Sequence, residues 1–104
     1  MINTIAAVAA GLFAATTLAA EFEVGQQNKA FSTPELKIKV GDTVTFKNND
    51  TFAHNIFSLS DTKSFDLGSY QTGQARKVVF DKPGTVEVEC ALHPGMKMTI
   101  SVQK

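Results

Sequence analysis

The chain has no tryptophan, one tyrosine, three prolines and a single cysteine among its 104 residues. One cysteine cannot close an internal disulfide, the staple on which small exported domains commonly rely. Excess charge is also missing: ten basic and ten acidic side chains cancel. No basic block is present that could neutralise a row of phosphates, which argues against nucleic acid as the main partner. The length allows one domain at most, with no repeats or low-complexity linkers after residue 20.

Charge is absent in a local sense too. Residues 1–20, MINTIAAVAAGLFAATTLAA, carry no charged side chain, and EFEVGQQNKAF follows with charge and alternation. An apolar run ending in small residues has the pattern of an export signal. Thr17-Leu18-Ala19 and Leu18-Ala19-Ala20 both suit the peptidase that would remove it. The expected organisation is a signal peptide over 1–20 and a mature domain over 21–104, delivered to the periplasm. The alternative is a retained anchor, since Ile2 to Ala20 is just long enough to span a bilayer.

The rest of the chain alternates rather than cycling at a helical period. Glu21–Val24, Leu36–Val40, Thr43–Lys47, Phe52–Ser60, Lys77–Phe80, Thr85–Cys90 and Thr99–Gln103 all read as strands, rich in Val, Ile, Phe and Thr. Gly41-Asp42 and Pro83-Gly84 read as tight turns. Asp61–Gln74 is the least regular stretch, compatible with a short strand or one helical turn. Many short strands with one apolar face predict an all-β sandwich or small barrel.

The cysteine lies in CALHPGMKM, Cys90 to Met98, with one of the two histidines and two of the three methionines. Taken singly, Cys90 continues the inward set Val86 and Val88 and reads as a core residue, and His93 reads as a loop histidine. Taken together they stand three residues apart, with Pro94-Gly95 turning the chain just beyond. Such a loop can aim a sulfur and an imidazole at one point. His54, in the apolar stretch FAHNIF, is the only other histidine, so His54, Cys90 and His93 exhaust the chain's imidazoles and thiols. Two imidazoles and a thiolate with a weak axial thioether make the type 1, or blue-copper, electron-transfer site.

In VGDTVTFKNND (Val40–Asp50), His54-Asn55, PGTVEVEC (Pro83–Cys90) and CALHPGM (Cys90–Met96) the sequence resembles the cupredoxins, the family of plastocyanin, amicyanin and pseudoazurin. The resemblance spans most of residues 21–104. It implies a Greek-key β-sandwich holding one copper ion near one end, with His54, Cys90 and His93 as ligands. It also implies that Asn55 ties the two ligand loops together and points its backbone N–H at the ligand sulfur. For the axial thioether, amicyanin-like loops would select Met96 and plastocyanin-like loops Met98. Met98 lies in register with Ile100 and Val102, where packing already explains it, so Met96 is the expected ligand; an exposed Met96 would return the role to Met98.

The resemblance implies a small exported electron carrier cycling Cu(II)/Cu(I), not an enzyme. Its expected partners are transient redox proteins: a cytochrome, a dehydrogenase, or a copper oxidase or reductase. The mature domain would be monomeric and free of the membrane, and electrons would pass at His93 among Ala91, Leu92, Pro94 and Gly95. Copper storage or delivery is the main alternative, separable by the rate of copper exchange. A Cys-His nucleophile and a structural zinc site rank lower: the domain leaves little room for a cleft, and a thioether is a poor zinc ligand.

Overall fold

The computed structural model describes residues 18–104. Most of the expected signal segment, residues 1–17, lies outside the described residues. Nine strands follow: β1 (Glu21–Gln27), β2 (Ala30–Phe31), β3 (Glu35–Lys39), β4 (Thr43–Asn48), β5 (His54–Leu59), β6 (Ser64–Tyr70), β7 (Ala75–Val79), β8 (Gly84–Cys90) and β9 (Lys97–Gln103). There is no helix among the described residues. The strands form two sheets, ordered β2-β1-β4-β7 and β3-β9-β8-β5-β6. β1 runs parallel to β4 and β3 parallel to β9, while the other pairs are antiparallel.

Alternation decides which faces meet. Val44 and Phe46 of β4, Val86, Val88 and Cys90 of β8, and Met98, Ile100 and Val102 of β9 are all buried, with their neighbours turned outward or to the rim. Two inner faces of this kind interdigitate into a single core. Phe65 joins them from β6, with ring centroids 6.1 Å from Phe46 and 6.2 Å from Phe80. The fully buried Tyr70 and Gln26 satisfy each other across the sheets through Tyr70 Oη–H to Gln26 Oε1 at 2.6 Å.

The stretch Asp61–Gln74, irregular by its sequence, contains the seven-residue strand β6. Its pattern was obscured by a register shift opposite Asn55–Phe57, where β6 carries an extra residue against β5. Gly68 takes the left-handed backbone there, with φ of 72°. An extra residue flips the alternation, so period-two reading fails across the bulge. β2 was also invisible, being only two residues long.

Because β1 and β4 are parallel, both begin at one pole of the sandwich and end at the other. The far pole collects the end of β1, the end of β4, the start of β5 and the end of β8. The sequence signals of His54 and Cys90 meet at that pole.

Candidate metal centre

Two adjacent strands position the first pair. β5 and β8 are antiparallel neighbours with Ile56 opposite Cys90, which sets His54, at the start of β5, beside the end of β8. The Asn55 backbone N–H points at Cys90 Sγ at 3.5 Å, and Asn55 C=O accepts from Ala91 N–H at 2.9 Å. Asn55 thus joins the β5 start to the Cys90 loop through its backbone. Its side-chain Oδ1 is buried without a partner, and Ala91, its neighbour through that bond, has no hydroxyl to offer.

The loop after Cys90 brings in the third residue. Met96 N–H donates to His93 C=O at 3.1 Å and Cys90 N–H to Met96 C=O at 3.3 Å, closing a compact turn between β8 and β9. Gly95 makes the turn possible with φ of 92°, a conformation costly for any residue bearing a Cβ. The ligand-type atoms of His54, Cys90 and His93 then lie within 4.8 Å of one another. Cys90 Sγ is 3.5 Å from His54 Nδ1 and 3.4 Å from His93 Nδ1. Bonds of about 2.1 Å to nitrogen and 2.3 Å to sulfur, meeting at roughly 100–105°, would give those separations. The spacing therefore fits one small metal ion shared by the three side chains.

His54 is wholly buried, and its tautomer can be worked out. Nε2 lies 2.6 Å from Asp50 Oδ2. The Asp50 carboxyl is pushed up by burial, but hydrogen bonds from His54, Asn28 and Lys29 outweigh that and hold it below the usual carboxylate range. An ionised carboxylate only accepts, so Nε2 carries the proton and donates it to Asp50. In the neutral imidazole, the form that binds a metal, the lone pair is then on Nδ1, facing Cys90 Sγ. A metal-binding histidine oriented by a carboxylate on its other nitrogen is a recurrent device.

Asp50 also reaches the hairpin between β1 and β2. Its Oδ1 accepts from Asn28 N–H at 2.6 Å and its Oδ2 from Lys29 N–H at 3.2 Å. Asn28 and Lys29 both sit in the left-handed region, with φ of 57° and 59°, as a tight two-residue hairpin demands. The loop carrying Asp50 is itself fixed by the buried Asn48, whose Nδ2 donates to Phe52 C=O and Tyr70 C=O and whose Oδ1 accepts from Asp50 N–H. In the sequence NND marks only a turn; a carboxylate four residues before a candidate histidine ligand was the signal for Asp50.

Phe52 packs against both imidazoles, with centroids 5.5 Å from His54 and 5.2 Å from His93. Lys29 Nζ stands 5.9 Å from the Phe52 centroid. His93 is half-buried, and its basicity is lowered by burial first, then by the fields of His54 and Lys29, with Asp50 opposing. It is therefore a neutral imidazole near neutral pH, the form that can donate a lone pair. Ala91, Leu92, Pro94 and Gly95 around it are exposed. Both candidate thioethers are buried: Met98 on β9 opposite Val88, in register with Ile100, and Met96 in the loop that binds Cys90 and His93. Neither methionine is exposed, so burial does not separate the two.

Comparison with known proteins meets this geometry. The model of the family described as copper binding proteins, plastocyanin/azurin family, matches residues 18–103. Amicyanin-alpha of Methylorubrum extorquens is 34% identical over 106 residues, spanning 97% of this chain and 89% of that protein. The methylamine utilization protein MauL of the same organism is 31% identical over 91 residues, 86% of this chain and 80% of that protein. Among solved structures, a purple cupredoxin from Nitrosopumilus maritimus superposes with a TM-score of 0.71 at 28% identity, over 78% of this chain and 98% of its own.

Proposed function

The chain belongs to the plastocyanin/azurin family of copper-binding proteins, and on that premise we propose that it is an exported one-electron carrier whose copper is held by His54, Cys90, His93 and, axially, Met96. Family membership makes it a cupredoxin of the electron-transfer kind. The observation that carries the ligand assignment is Cys90 Sγ at 3.5 Å and 3.4 Å from two imidazole nitrogens, with the His54 proton drawn to the opposite nitrogen by Asp50.

When bound in such a donor set, copper supplies a one-electron couple between Cu(II) and Cu(I), for which thiolate, thioether and imidazole are suited ligands. The protein's part is to hold those ligands still. His54 is locked by Asp50, Cys90 by the Asn55 N–H and by its strand, and His93 by the closed loop through Met96. Ligands that do not move when the charge changes keep reorganisation small. Phe52 and the core around Cys90 keep water from the thiolate. Met96 is favoured as axial ligand because its backbone is bonded to both Cys90 and His93 within the loop, whereas Met98 is already paired with Val88 in the β8–β9 ladder.

Electrons would enter and leave at His93. Exposed Ala91, Leu92, Pro94 and Gly95 form a small apolar rim suited to brief contacts with a redox partner. The balanced net charge provides little global steering, so complementarity has to be local. Likeness to amicyanin-alpha and to a protein named for methylamine utilization supports a dehydrogenase as one partner, with a cytochrome or copper oxidase as the other. A monomer in the periplasm is the form proposed. Burial of Cys90 and His54 weighs against copper delivery, which needs a metal that leaves readily.

The test is the visible and EPR spectrum of the mature domain loaded with one equivalent of Cu(II). An intense red-region thiolate-to-copper band with narrow hyperfine splitting, bleaching reversibly on reduction and lost in Cys90→Ser, is expected. A weak spectrum with ordinary copper splitting would remove Cys90 from the ligand set.

A further inference from the structure

At the pole opposite the metal centre stands a buried carboxylate that, among the described residues, makes no direct ion pair. Asp42 is 5% exposed. Its Oδ1 accepts from Ala20 N–H at 2.8 Å and its Oδ2 from Lys39 N–H at 2.8 Å. These two bonds, Ala20 first, outweigh the effect of burial and, with the field of the Lys39 ammonium, hold its carboxyl below the usual range, so the group is ionised. Among the described residues no lysine, arginine or histidine lies within ion-pair distance of it. The charge is thus met by two amides and, from beyond ion-pair distance, by Lys39, while no ammonium closes directly on it.

Ala20 is also where the fold begins. Its carbonyl accepts from Thr43 N–H at 3.0 Å, and from Glu21 onward β1 is zipped to β4, starting with Glu21 opposite Thr43. Leu18, by contrast, stands 85% exposed. The two cleavage positions open in the sequence now differ in consequence. Cutting after Ala20 would take away one of the two amides on Asp42 and the acceptor of Thr43. Cutting after Ala19 leaves both bonds and changes only the charge on the Ala20 nitrogen. This position also puts the smaller Thr17, rather than Leu18, three residues before the cut.

We infer that the mature chain begins at Ala20, and that the new α-ammonium is the direct ion-pair partner of Asp42. The inference rests on the export reading. A signal peptidase would add water across the Ala19–Ala20 amide. Ala19 would keep the hydroxyl as its carboxyl group, and the freed Ala20 nitrogen would take up a proton to become an ammonium. That ammonium arises 2.8 Å from Asp42 Oδ1 with no rearrangement of the fold. The maturation cut would thereby turn an amide–carboxylate hydrogen bond into a charge-assisted ion pair, fastening the first residue of β1 to the turn before β4.

The full chain, expressed with its own first twenty residues in a Gram-negative host, provides the test. Intact mass and N-terminal sequencing of the periplasmic fraction should give a single species beginning Ala-Glu-Phe. A periplasmic species beginning Glu-Phe-Glu, or at any other residue, would overturn the inference while leaving export intact. An unprocessed chain kept in the cytosol or membrane would overturn both. The pairing is then read by acylation of the α-amine at mildly alkaline pH in the purified Ala20 protein. Asp42→Asn should speed that reaction, about tenfold if the pair raises the amine by one pKa unit. Equal rates in the two proteins would show that the ammonium is not paired with Asp42.

Discussion

Replacing Asp50 with Ala separates the site's scaffold from its metal, because the effect should appear before copper is added. The substitution removes three bonds: His54 Nε2–H at 2.6 Å, Asn28 N–H at 2.6 Å and Lys29 N–H at 3.2 Å. The losses are unequal. Asn28 and Lys29 are exposed, so water replaces the carboxylate at each for about 0.5–1 kcal/mol. His54 is 0% exposed, so its Nε2–H is left without a partner at a cost of about 1–3 kcal/mol. Relief from burying the Asp50 charge offsets part of this. A net loss of about 2–3 kcal/mol follows, against a total of roughly 4–13 kcal/mol for a domain of this size.

The assay is urea unfolding of the metal-free protein, followed by thermal melts. The melting temperature should fall by about 10 °C or more, at about 4–8 °C per kcal/mol for a domain this small. Asp50→Asn keeps one acceptor oxygen and should fall between wild type and Asp50→Ala. With His54 no longer fixed, Cu(II) affinity in a chelator competition should drop by about 10–100-fold, the usual effect of losing such a partner. A metal-free Asp50→Ala protein within about 0.5 kcal/mol of wild type would refute the reasoning, since the buried Nε2–H would then have found another acceptor.

Three further outcomes test other parts of the molecule. Met96→Gln should shift the copper spectrum and reduction potential more than Met98→Gln, which should instead lower stability by loosening the β8–β9 core; the reverse ranking in spectra and melts would make Met98 the axial ligand. Tyr70→Phe leaves Gln26 Oε1 buried without a donor, and urea unfolding should show a loss of about 1–3 kcal/mol; a neutral change would mean that water reaches the site. Asp42 and Asp50 are both held below their ordinary values, so their stabilisation is complete above the unfolded-state value of about 3.9 and disappears as pH falls through the lower folded-state values. Urea midpoints of the metal-free protein should therefore stay level down to about pH 5 and drop below about pH 4, with a shallower drop in Asp42→Asn.

The strands that place the site were legible because they alternate cleanly: β4, β8 and β9 each show an unbroken inside–outside pattern, and the sequence spans for them differ from the observed ones by two residues at most. β6 was not, because the bulge at Gly68 reverses the pattern midway. Tyr70, in that irregular stretch, is fully buried, its acidity suppressed by burial and the nearby Cys90 charge.

By itself the sequence determined which atoms were available: two imidazoles, one thiol and the two thioethers of the Cys90–Met98 stretch, with a turn after His93 that could fold a loop back on itself. Ligand types are a property of composition, and local loop geometry is a property of adjacent residues, so both are written along the chain. Only the tertiary structure decided that Asp50 sets the proton on His54, that a hairpin from β1 shares that carboxylate, and that Ala20 rests on Asp42. The hairpin and Ala20 contacts join segments 22 residues apart in sequence, and even Asp50, four residues before His54, is aimed at it only by the loop that Asn48 holds. Hydrogen bonds of that kind depend on where backbones come to lie after the two sheets pack, and no local pattern carries that information.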